Sequence, residues 1–202
     1  MTITIPNLTT ERLTLRAPVL DDFEHWAAFF ASERSVYERG QMPRQEAWRV
    51  WAGDVALWTL RGYGPFGVET RETGVYVGEV GIYQPDGYPG PELGWFVVPQ
   101  AEGKGYAAEA ARAVMLWARR NFGWDRLINI IDPRNSRSIG LGRRLGARLP
   151  RLRADRTNEV GEVRARHQPT PARERSRRLD VRAHPGRPAI ARGRPPGVGD
   201  DR

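Results

Sequence analysis

A glycine-rich corner in the middle of the chain has the residue types and spacing of an anion-binding site. The apolar run Trp95–Val98 is typical of a strand, and Gly103-Lys104-Gly105 and a long amphipathic helical pattern follow it. Backbone N–H groups at a helix start have no partner within the helix, and the helix dipole adds a fractional positive charge there. Glycine lets a phosphate approach the backbone closely. The pattern favours a diphosphate site, to which Lys104 could add a cation, and an ordinary glycine loop is the simpler alternative.

The same corner also fits a dinucleotide-binding pattern. Gly103–Ala108 matches G-x-G-x-x-A, and Asp132 could serve as the acid that contacts a ribose. This interpretation predicts a nicotinamide dinucleotide-dependent reductase. Its context is poor, because residues 99–102 separate the strand from the first glycine and a predicted hairpin precedes the unit. The reductase is therefore kept as an alternative.

The hydrophobic pattern predicts the elements that would position this corner. They follow in the order strand, two helices, three strands, helix, strand and helix. Asp21 would cap the first helix, and Pro43 would lie in the first turn of the second. This order predicts an α/β (α+β) fold with a mixed sheet flanked by helices on both faces. The predicted strands are 12–17, 65–70, 74–83, 92–98 and 126–132, and the last helix is 135–147.

Three separated segments resemble the GNAT superfamily of N-acetyltransferases, in particular the branch that includes the ribosomal-protein N-terminal acetyltransferases. They are "TERLTLRAP", "ELGWFVVPQAEGKGYAAEAARAV" and "INIIDPRNSRSIGLGRRLGAR", which together cover about residues 8–148 in the family's order. The acetyl-coenzyme A signature of the family is [Q/R]-x-x-G-x-[G/A]. Gly105 and Ala107 fit its last two places, and Glu102 departs from its first. Since backbone N–H groups hold the diphosphate, we expect this departure to weaken cofactor binding rather than abolish it.

The resemblance implies a GNAT fold with a mostly antiparallel sheet, and transfer of an acetyl group from acetyl-CoA, as a co-substrate, to a primary amine. The coenzyme A arm would lie in a splay between strands 92–98 and 126–132. Backbone groups of Phe96 and Val98 would hold it, and one N–H would polarise the acetyl carbonyl. The implied cofactor contacts are Phe96, Val97, Val98, Gly103, Lys104, Gly105, Tyr106, Ala107, Ala108 and Asn135.

Two side chains are the implied catalytic groups. Glu92 would act as the base on the acceptor amine, through a water molecule, and Ser138 would lie near the sulfur as a weak acid. Glu79 is another strand carboxylate and the next candidate for the base. Each residue has a simpler alternative: Glu92 could be a solvated strand end, Ser138 plain helix surface, and Asn135 the cap of its helix.

Composition excludes several other kinds of site. The chain has no Cys, and its three His residues are far apart, so we expect no metal site. The start of the chain lacks the layout of a signal peptide, and no apolar run approaches the ~18 residues of a membrane span. We therefore expect a cytoplasmic protein, a monomer or homodimer, whose acceptor is a protein N-terminus or a small-molecule amine. A non-catalytic or degenerate acyl-CoA-binding relative is a further alternative.

The net charge of +8 comes entirely from the end of the chain. Residues 1–147 hold 17 Lys and Arg and 17 Asp and Glu, whereas residues 148–202 hold 15 Arg, 7 acids and no aromatic residue. Without aromatic residues to stack on bases, no specific nucleic-acid partner is expected. We predict a GNAT domain over 1–148 and a disordered basic tail over 149–202 that lacks the closing strands of the sheet. Its Arg-, Pro- and Gly-rich composition is also that of a GC-rich gene read out of frame.

Overall fold

The computed structural model describes residues 4–148 and, at residues 159–164, the backbone of one more strand. These residues form a single sheet with helices packed against it. The first strands and helices are β1 (Leu8–Thr9), β2 (Leu13–Arg16), α1 (Asp22–Phe30), a 3₁₀ turn (Glu33–Tyr37) and α2 (Arg44–Arg61). They are followed by β3 (Pro65–Thr70), β4 (Tyr76–Tyr83), β5 (Glu92–Val97), a 3₁₀ turn (Pro99–Ala101), α3 (Tyr106–Phe122), β6 (Arg126–Ile131), α4 (Ser136–Arg144) and β7 (Glu159–Arg164).

The sheet runs in sequence order from β1 to β7, and all neighbours are antiparallel except β5 and β6. β4 and β5 pair over six register positions, from Gly78↔Val97 to Tyr83↔Glu92. The parallel pair β5 and β6 has one register position, Glu92↔Ile128. The two strands therefore separate along the rest of β5 and open a splay in the middle of the sheet, as the resemblance implied.

The helices begin and end at the residues that their sequences favour. α2 follows Pro43, and α2 and α3 both end at a glycine in the left-handed conformation, Gly62 and Gly123. Asp21 does occupy the position before α1, but its side chain makes no capping hydrogen bond. Asp22 instead accepts the backbone N–H of Val19 at 3.0 Å. The expected side-chain cap is therefore not made, and Asp22 instead ties the loop before α1 to its first turn.

Two apolar clusters hold the helices to the sheet. One joins the buried stripe of α3 to β2–β6, and the other joins α1 to the start of α2. Phe96 of β5 packs against both clusters, so it lies where the two halves of the core meet. The buried stripe of α3 contains Ala110, Ala111, Val114, Met115 and Ala118.

β7 lies in the part of the chain where we expected no closing strand. It pairs antiparallel with β6 over six positions, from Arg126↔Arg164 to Ile131↔Glu159. These six residues form a strand that we did not expect. The weak alternation of "EVGEVR" is enough for a strand to form here, because β6 offers a row of backbone N–H and C=O groups to pair with. Residues 4–148 and β7 belong to one unit, Met1–His167. The rest of the predicted tail, and any second closing strand, lies outside the described residues.

Candidate active site

The glycine corner places free backbone N–H groups at the start of α3. Gly103 and Gly105 have φ of 73° and 80°, which is the left-handed region that favours glycine. A Cβ on Gly103 would meet nothing within 4 Å, so backbone conformation rather than space requires glycine here. Glu109 N–H donates to Gly105 O at 3.1 Å as the first bond of the helix. The N–H groups of the residues from Tyr106 to Ala108 consequently have no helical carbonyl to bond.

Contacts from the start of the sheet hold this corner in place. The Glu109 carboxylate accepts hydrogen bonds from the Thr10 hydroxyl at 2.6 Å and from the Arg12 backbone N–H at 2.9 Å. The Arg12 side chain also reaches Glu109, and its Nη1 donates to Lys104 O at 3.1 Å. The β1–β2 turn therefore fixes the first turn of α3 and the loop before it.

A cavity of about 700 Å³, the corner cavity, opens beside these N–H groups. The 3₁₀ turn 33–37, β5, the glycine corner and the start of α4 form its walls. Most of the predicted cofactor contacts line it, together with the predicted acid, Ser138. The predicted residues in its lining are Phe96, Val97, Gly103, Gly105, Tyr106, Ala107, Ala108, Asn135 and Ser138.

Two predicted contacts do not line the corner cavity. Lys104 lines a different cavity, beside the β3–β4 hairpin. The backbone of Val98 is already used, because its N–H donates to Val77 O at 3.0 Å and its carbonyl accepts the Ala101 N–H at 2.9 Å. Val98 is buried, and its N–H, which is bonded to β4, is not available to a cofactor arm.

The pairing of β4 with β5 determines which backbone groups of β5 could contact a cofactor arm. Since Val98 bonds to Val77, alternation along an antiparallel pair makes Phe96 and Glu79 another hydrogen-bonded pair. The groups that face the splay are then those of Trp95 and Val97. In agreement, Val97 O accepts Arg34 Nη2 at 3.0 Å from outside the β4–β5 pair. The backbone available to a bound arm is therefore that of Trp95 and Val97, not that of Phe96 and Val98.

Arginine side chains supply the positive charge of the corner cavity. Arg34 and Arg137 both bond to the carboxylate of Glu102, the residue that departs from the family signature. Although partial burial acts to raise the pKa of Glu102, these two ion pairs outweigh it and lower the pKa. No spacing in the sequence indicates this arrangement, because the arginines come from segments far apart in the chain. The arginines in the lining are Arg34, Arg134, Arg137 and Arg144.

The start of α4 carries two of the predicted site residues, Asn135 and Ser138. Asn135 Oδ1 accepts the Ser138 N–H at 3.1 Å, so Asn135 caps the helix, and its Nδ2 donates to Glu38 Oε1 at 3.4 Å. The cap was the simpler alternative for Asn135, and the residue makes it while also lining the cavity.

Asp132, the acid required by the dinucleotide interpretation, is instead bonded to Arg134, with Oδ2 and Nη2 2.6 Å apart. This hydrogen bond lowers the pKa of Asp132 to about 2.

A second cavity of about 200 Å³, the acidic cavity, lies next to the first. The two cavities share Phe29, Tyr37, Glu38, Trp95 and Phe96. The lining of the acidic cavity combines aromatic rings with five carboxylates and one arginine, Arg39. The carboxylates are Glu38, Asp54, Glu79, Glu92 and Asp132.

Glu79 is buried in the acidic cavity, with a relative exposure of 1%. Its Oε1 accepts the Tyr83 hydroxyl at 2.8 Å, and its Oε2 accepts Trp51 Nε1 at 3.3 Å. Burial raises the pKa of Glu79 to about 8, against the lowering effect of these two hydrogen bonds. Both oxygens of this carboxyl group are thus committed.

Glu92 lies at the point where β5 and β6 separate. Its Oε1 accepts the Ile130 N–H at 2.9 Å, which carries a hydrogen bond across the splay. Burial raises the pKa of Glu92 to about 7. Among the described residues its Oε2 accepts no hydrogen bond, so this oxygen is available to a molecule in the acidic cavity.

Within residues 4–148 and 159–164, no group of three or more His, Asp and Glu is arranged to hold a metal ion. No helix in the same ranges combines the length and the apolar character that crossing a membrane requires.

Comparison with known proteins gives one consistent result. Residues 12–148 match the family model for the acetyltransferase (GNAT) domain. An acetyltransferase from Agrobacterium tumefaciens has the same fold, with a TM-score of 0.74 and 36% identity over 83% of this chain and 98% of that chain. The L7/L12 N-terminal serine acetyltransferase of Salmonella typhimurium shares the fold at 14% identity, with a TM-score of 0.61 over 78% and 97% of the two chains.

A curated relative matches a shorter stretch. The N-acetyltransferase YnaD of Bacillus subtilis is 30% identical over 83 residues, which is 41% of this chain and 49% of that protein. The chain thus spans about half the length of this relative. The family model covers well over half of this chain, and its limits enclose the glycine corner and both cavities. The chain therefore belongs to the GNAT family of acetyltransferases.

Proposed function

We propose that this protein transfers the acetyl group of acetyl-CoA to a primary amine. One observation carries the proposal: the corner cavity and the acidic cavity meet along Trp95 and Phe96, beside the splay between β5 and β6. One cavity offers N–H groups and arginines to phosphates, and the other offers carboxylates to an amine. A thioester and an amine could then meet between them.

The corner cavity would hold the cofactor. The diphosphate would accept hydrogen bonds from the N–H groups at the start of α3, and Arg137 or its neighbours would balance the remaining charge. The arm would run into the splay, where the backbone groups of Trp95 and Val97 could bond its amides. An N–H group in this strand could also polarise the acetyl carbonyl, which becomes more negative as the amine attacks.

Glu92 is the first candidate for the base, and the structure supports the ranking over Glu79. Glu92 has a free oxygen in the acidic cavity, whereas both oxygens of Glu79 accept hydrogen bonds. With a pKa of about 7, Glu92 can take a proton from an ammonium group near neutral pH. The ammonium group would pass its proton to Glu92, directly or through a water molecule, and the neutral amine nitrogen would then attack the thioester carbon.

The reaction then completes with a proton transfer to sulfur. A C–N bond forms, the C–S bond breaks, and the nitrogen releases its second proton to water. The thiolate of coenzyme A takes a proton from water, or from the Ser138 hydroxyl, which then regains a proton from water. Ser138 lines the corner cavity, and its backbone N–H is held by Asn135 at 3.1 Å. Because water can replace a weak acid, the Ser138 hydroxyl is a minor contributor, and Ser138→Ala should affect the rate less than Glu92→Gln.

Ligand binding and thiol release test the proposal together. Acetyl-CoA should raise the melting temperature, and nicotinamide dinucleotides should not. Free coenzyme A should then appear only when a primary amine is present. Stabilisation without thiol release for any amine in a broad panel would leave the non-catalytic alternative, and stabilisation by a nicotinamide dinucleotide alone would contradict the cofactor assignment.

A further inference from the structure

Asp54 is a buried carboxylate that the proposed chemistry does not use. It lies on the inner face of α2 with a relative exposure of 6%. Among the described residues, its side chain has neither a hydrogen bond nor an ion pair. A buried charge without a partner is costly, and such groups normally pair or change protonation. Asp54 lines the acidic cavity, so the partner that it lacks could come from a bound molecule.

The titratable groups that share the acidic cavity with Asp54 are mostly carboxyl groups. The other carboxylates of the acidic cavity come from four different parts of the fold, and Arg39 is the one cation among the lining residues. Burial raises the pKa of Asp54 to about 6, and Arg39 partly opposes this shift. Near neutral pH Asp54 is therefore mostly ionised, whereas Glu92 is only partly ionised and Glu79 stays protonated. Aromatic rings such as Trp26 and Phe30 form much of the remaining wall, and ring faces also attract cations.

The space around Asp54 extends beyond the acidic cavity. A neighbouring cavity of about 540 Å³ runs along α2 and shares both Asp54 and Arg39 with it. Asp54 therefore stands between the inner site, where Glu92 lies, and an outer space. Because Arg49 and Arg61 also line the outer space, a second ammonium group would be held at Asp54 itself rather than farther out.

We propose that the acceptor carries a second cationic group that Asp54 binds, so that the site selects small aliphatic diamines and polyamines over monoamines. This inference rests on the proposed function, with one amine at Glu92 undergoing acetylation while another stays charged at Asp54. The reacting nitrogen gains the acetyl group and loses a proton. The distant ammonium is unchanged and serves to position the molecule.

Steady-state rates test the inference through a ratio of acceptors. Coenzyme A release would be measured with butylamine, with 1,4-diaminobutane and with a lysine-free peptide that has a free N-terminus. We expect kcat/KM for the diamine to exceed that for butylamine by at least about tenfold, because only the diamine can pair with Asp54. Asp54→Asn should reduce this ratio to near one, mainly through KM for the diamine.

Glu46→Gln is the matched control, because Glu46 is an exposed acid in the first turn of the same helix. It removes the same charge from α2 and should keep the wild-type ratio to within about twofold, since an exposed charge contributes little. Circular dichroism melting of both variants would show whether each remains folded.

The outcomes separate this inference from the proposed function. Equal kcat/KM for the monoamine and the diamine, or a higher value for the peptide, would overturn the diamine assignment and leave acetyl transfer standing. If no amine releases thiol, acetyl transfer fails, and calorimetry of 1,4-diaminobutane with the coenzyme A complex still decides the role of Asp54. Binding that Asp54→Asn weakens by at least about tenfold supports that role, and absent or unchanged binding contradicts it.

Discussion

The carboxyl groups of Glu79 and Glu92 differ in what surrounds them, and this difference favours a different role for each. Glu79 holds the Trp51 indole and the Tyr83 hydroxyl, which ties α2 and β4 together. Glu92 accepts a hydrogen bond from the backbone of β6 with one oxygen, and within the described part of the chain its other oxygen accepts none. The first geometry suits a positioning residue that stays protonated, and the second suits a base.

Glu92→Gln should lower turnover with little effect on cofactor binding. The amide keeps an oxygen for the Ile130 N–H but cannot take a proton, so we expect kcat to fall by about 100-fold or more. In the wild-type protein kcat/KM should rise with pH through about 7, where Glu92 loses its proton, and the variant should lack this step. Coenzyme A affinity measured by calorimetry should stay within about twofold, because a base acts on the acceptor.

A Glu92→Gln variant with the full rate across this pH range would show that the base lies elsewhere. Glu79→Gln would then be the next variant to measure. Loss of the pH step in that variant alone would transfer the role to Glu79.

The buried carboxyl group of Glu79 should make the stability of the fold depend on pH. Its pKa is raised to about 8 in the folded chain, so its contribution is fully present below the ordinary carboxyl pKa and is lost as pH rises through about 8. The melting temperature of the wild-type protein should therefore fall between about pH 5 and about pH 9, and Glu79→Gln should flatten that slope. Glu46→Gln, at an exposed site, should keep the wild-type slope. An unaltered slope in Glu79→Gln would show that this carboxyl group titrates normally.

At the scale of elements, periodicity in the sequence predicted most of the fold. The strand and helix positions agree with the structure to within a few residues, because apolar spacing records which face each element buries. The sequence did not predict β1, because a strand of two residues is too short to show an alternation of apolar and polar residues. It did not predict β7, because that segment lacks bulky apolar residues. Pairing with an existing strand determines such elements more than their own composition does.

The site was predictable to the extent that it depends on local backbone. Gly103 and Gly105 indicate the left-handed backbone before α3, because glycine adopts this conformation without strain. The arginines around Glu102 and the cluster of acids around Glu92 assemble from distant segments, so no spacing in the sequence reveals them. The register of β5 needed the structure too, because one hydrogen bond at Val98 decides which backbone groups face the splay.

Gly105→Val should weaken cofactor binding. A branched residue at φ of 80° is strained, and its side chain would lie beside the N–H groups that hold the diphosphate. We expect coenzyme A affinity by calorimetry to fall at least tenfold, which corresponds to about 1.4 kcal/mol.

Gly123→Val provides a control for the strain alone. Gly123 ends the same helix at φ of 68°, and it does not line the corner cavity. This variant should lose similar stability while its affinity stays within about twofold of the wild type. Equal affinity losses in the two variants, or none in folded Gly105→Val, would contradict the phosphate assignment.

At the scale of the whole molecule, the composition of the chain changes near residue 148, shortly before β7. The match to the family model ends at residue 148, and β7 follows at Glu159–Arg164. β6 pairs with β7 over six positions, so removing β7 would leave β6 as an exposed edge of the sheet. Two truncated chains test this role: one that ends after Arg148 should aggregate, and one that ends after His167 should stay soluble. Equal solubility would show that β7 contributes little to the fold.

The composition of the arginine-rich tail suggests how this part of the chain arose. Lys104 is the only lysine among 32 Lys and Arg residues, which fits a GC-rich gene, and the tail has the composition of such a gene read out of frame. We propose a change of reading frame near residue 148. Resequencing the gene should then reveal an insertion or deletion there. A confirmed frame together with a soluble, active 202-residue product would refute the proposal.

The shared wall of the two cavities limits how the reaction can be ordered in time. Trp95 and Phe96 border both spaces, so under the proposed function the donor and the acceptor would occupy the protein together, and the chain has no Cys to carry the acetyl group between them. Double-reciprocal plots should therefore intersect, as for a ternary complex, rather than run parallel. A bisubstrate inhibitor that links an amine to coenzyme A through an acetyl bridge would fill both spaces at once and should bind more tightly than either half.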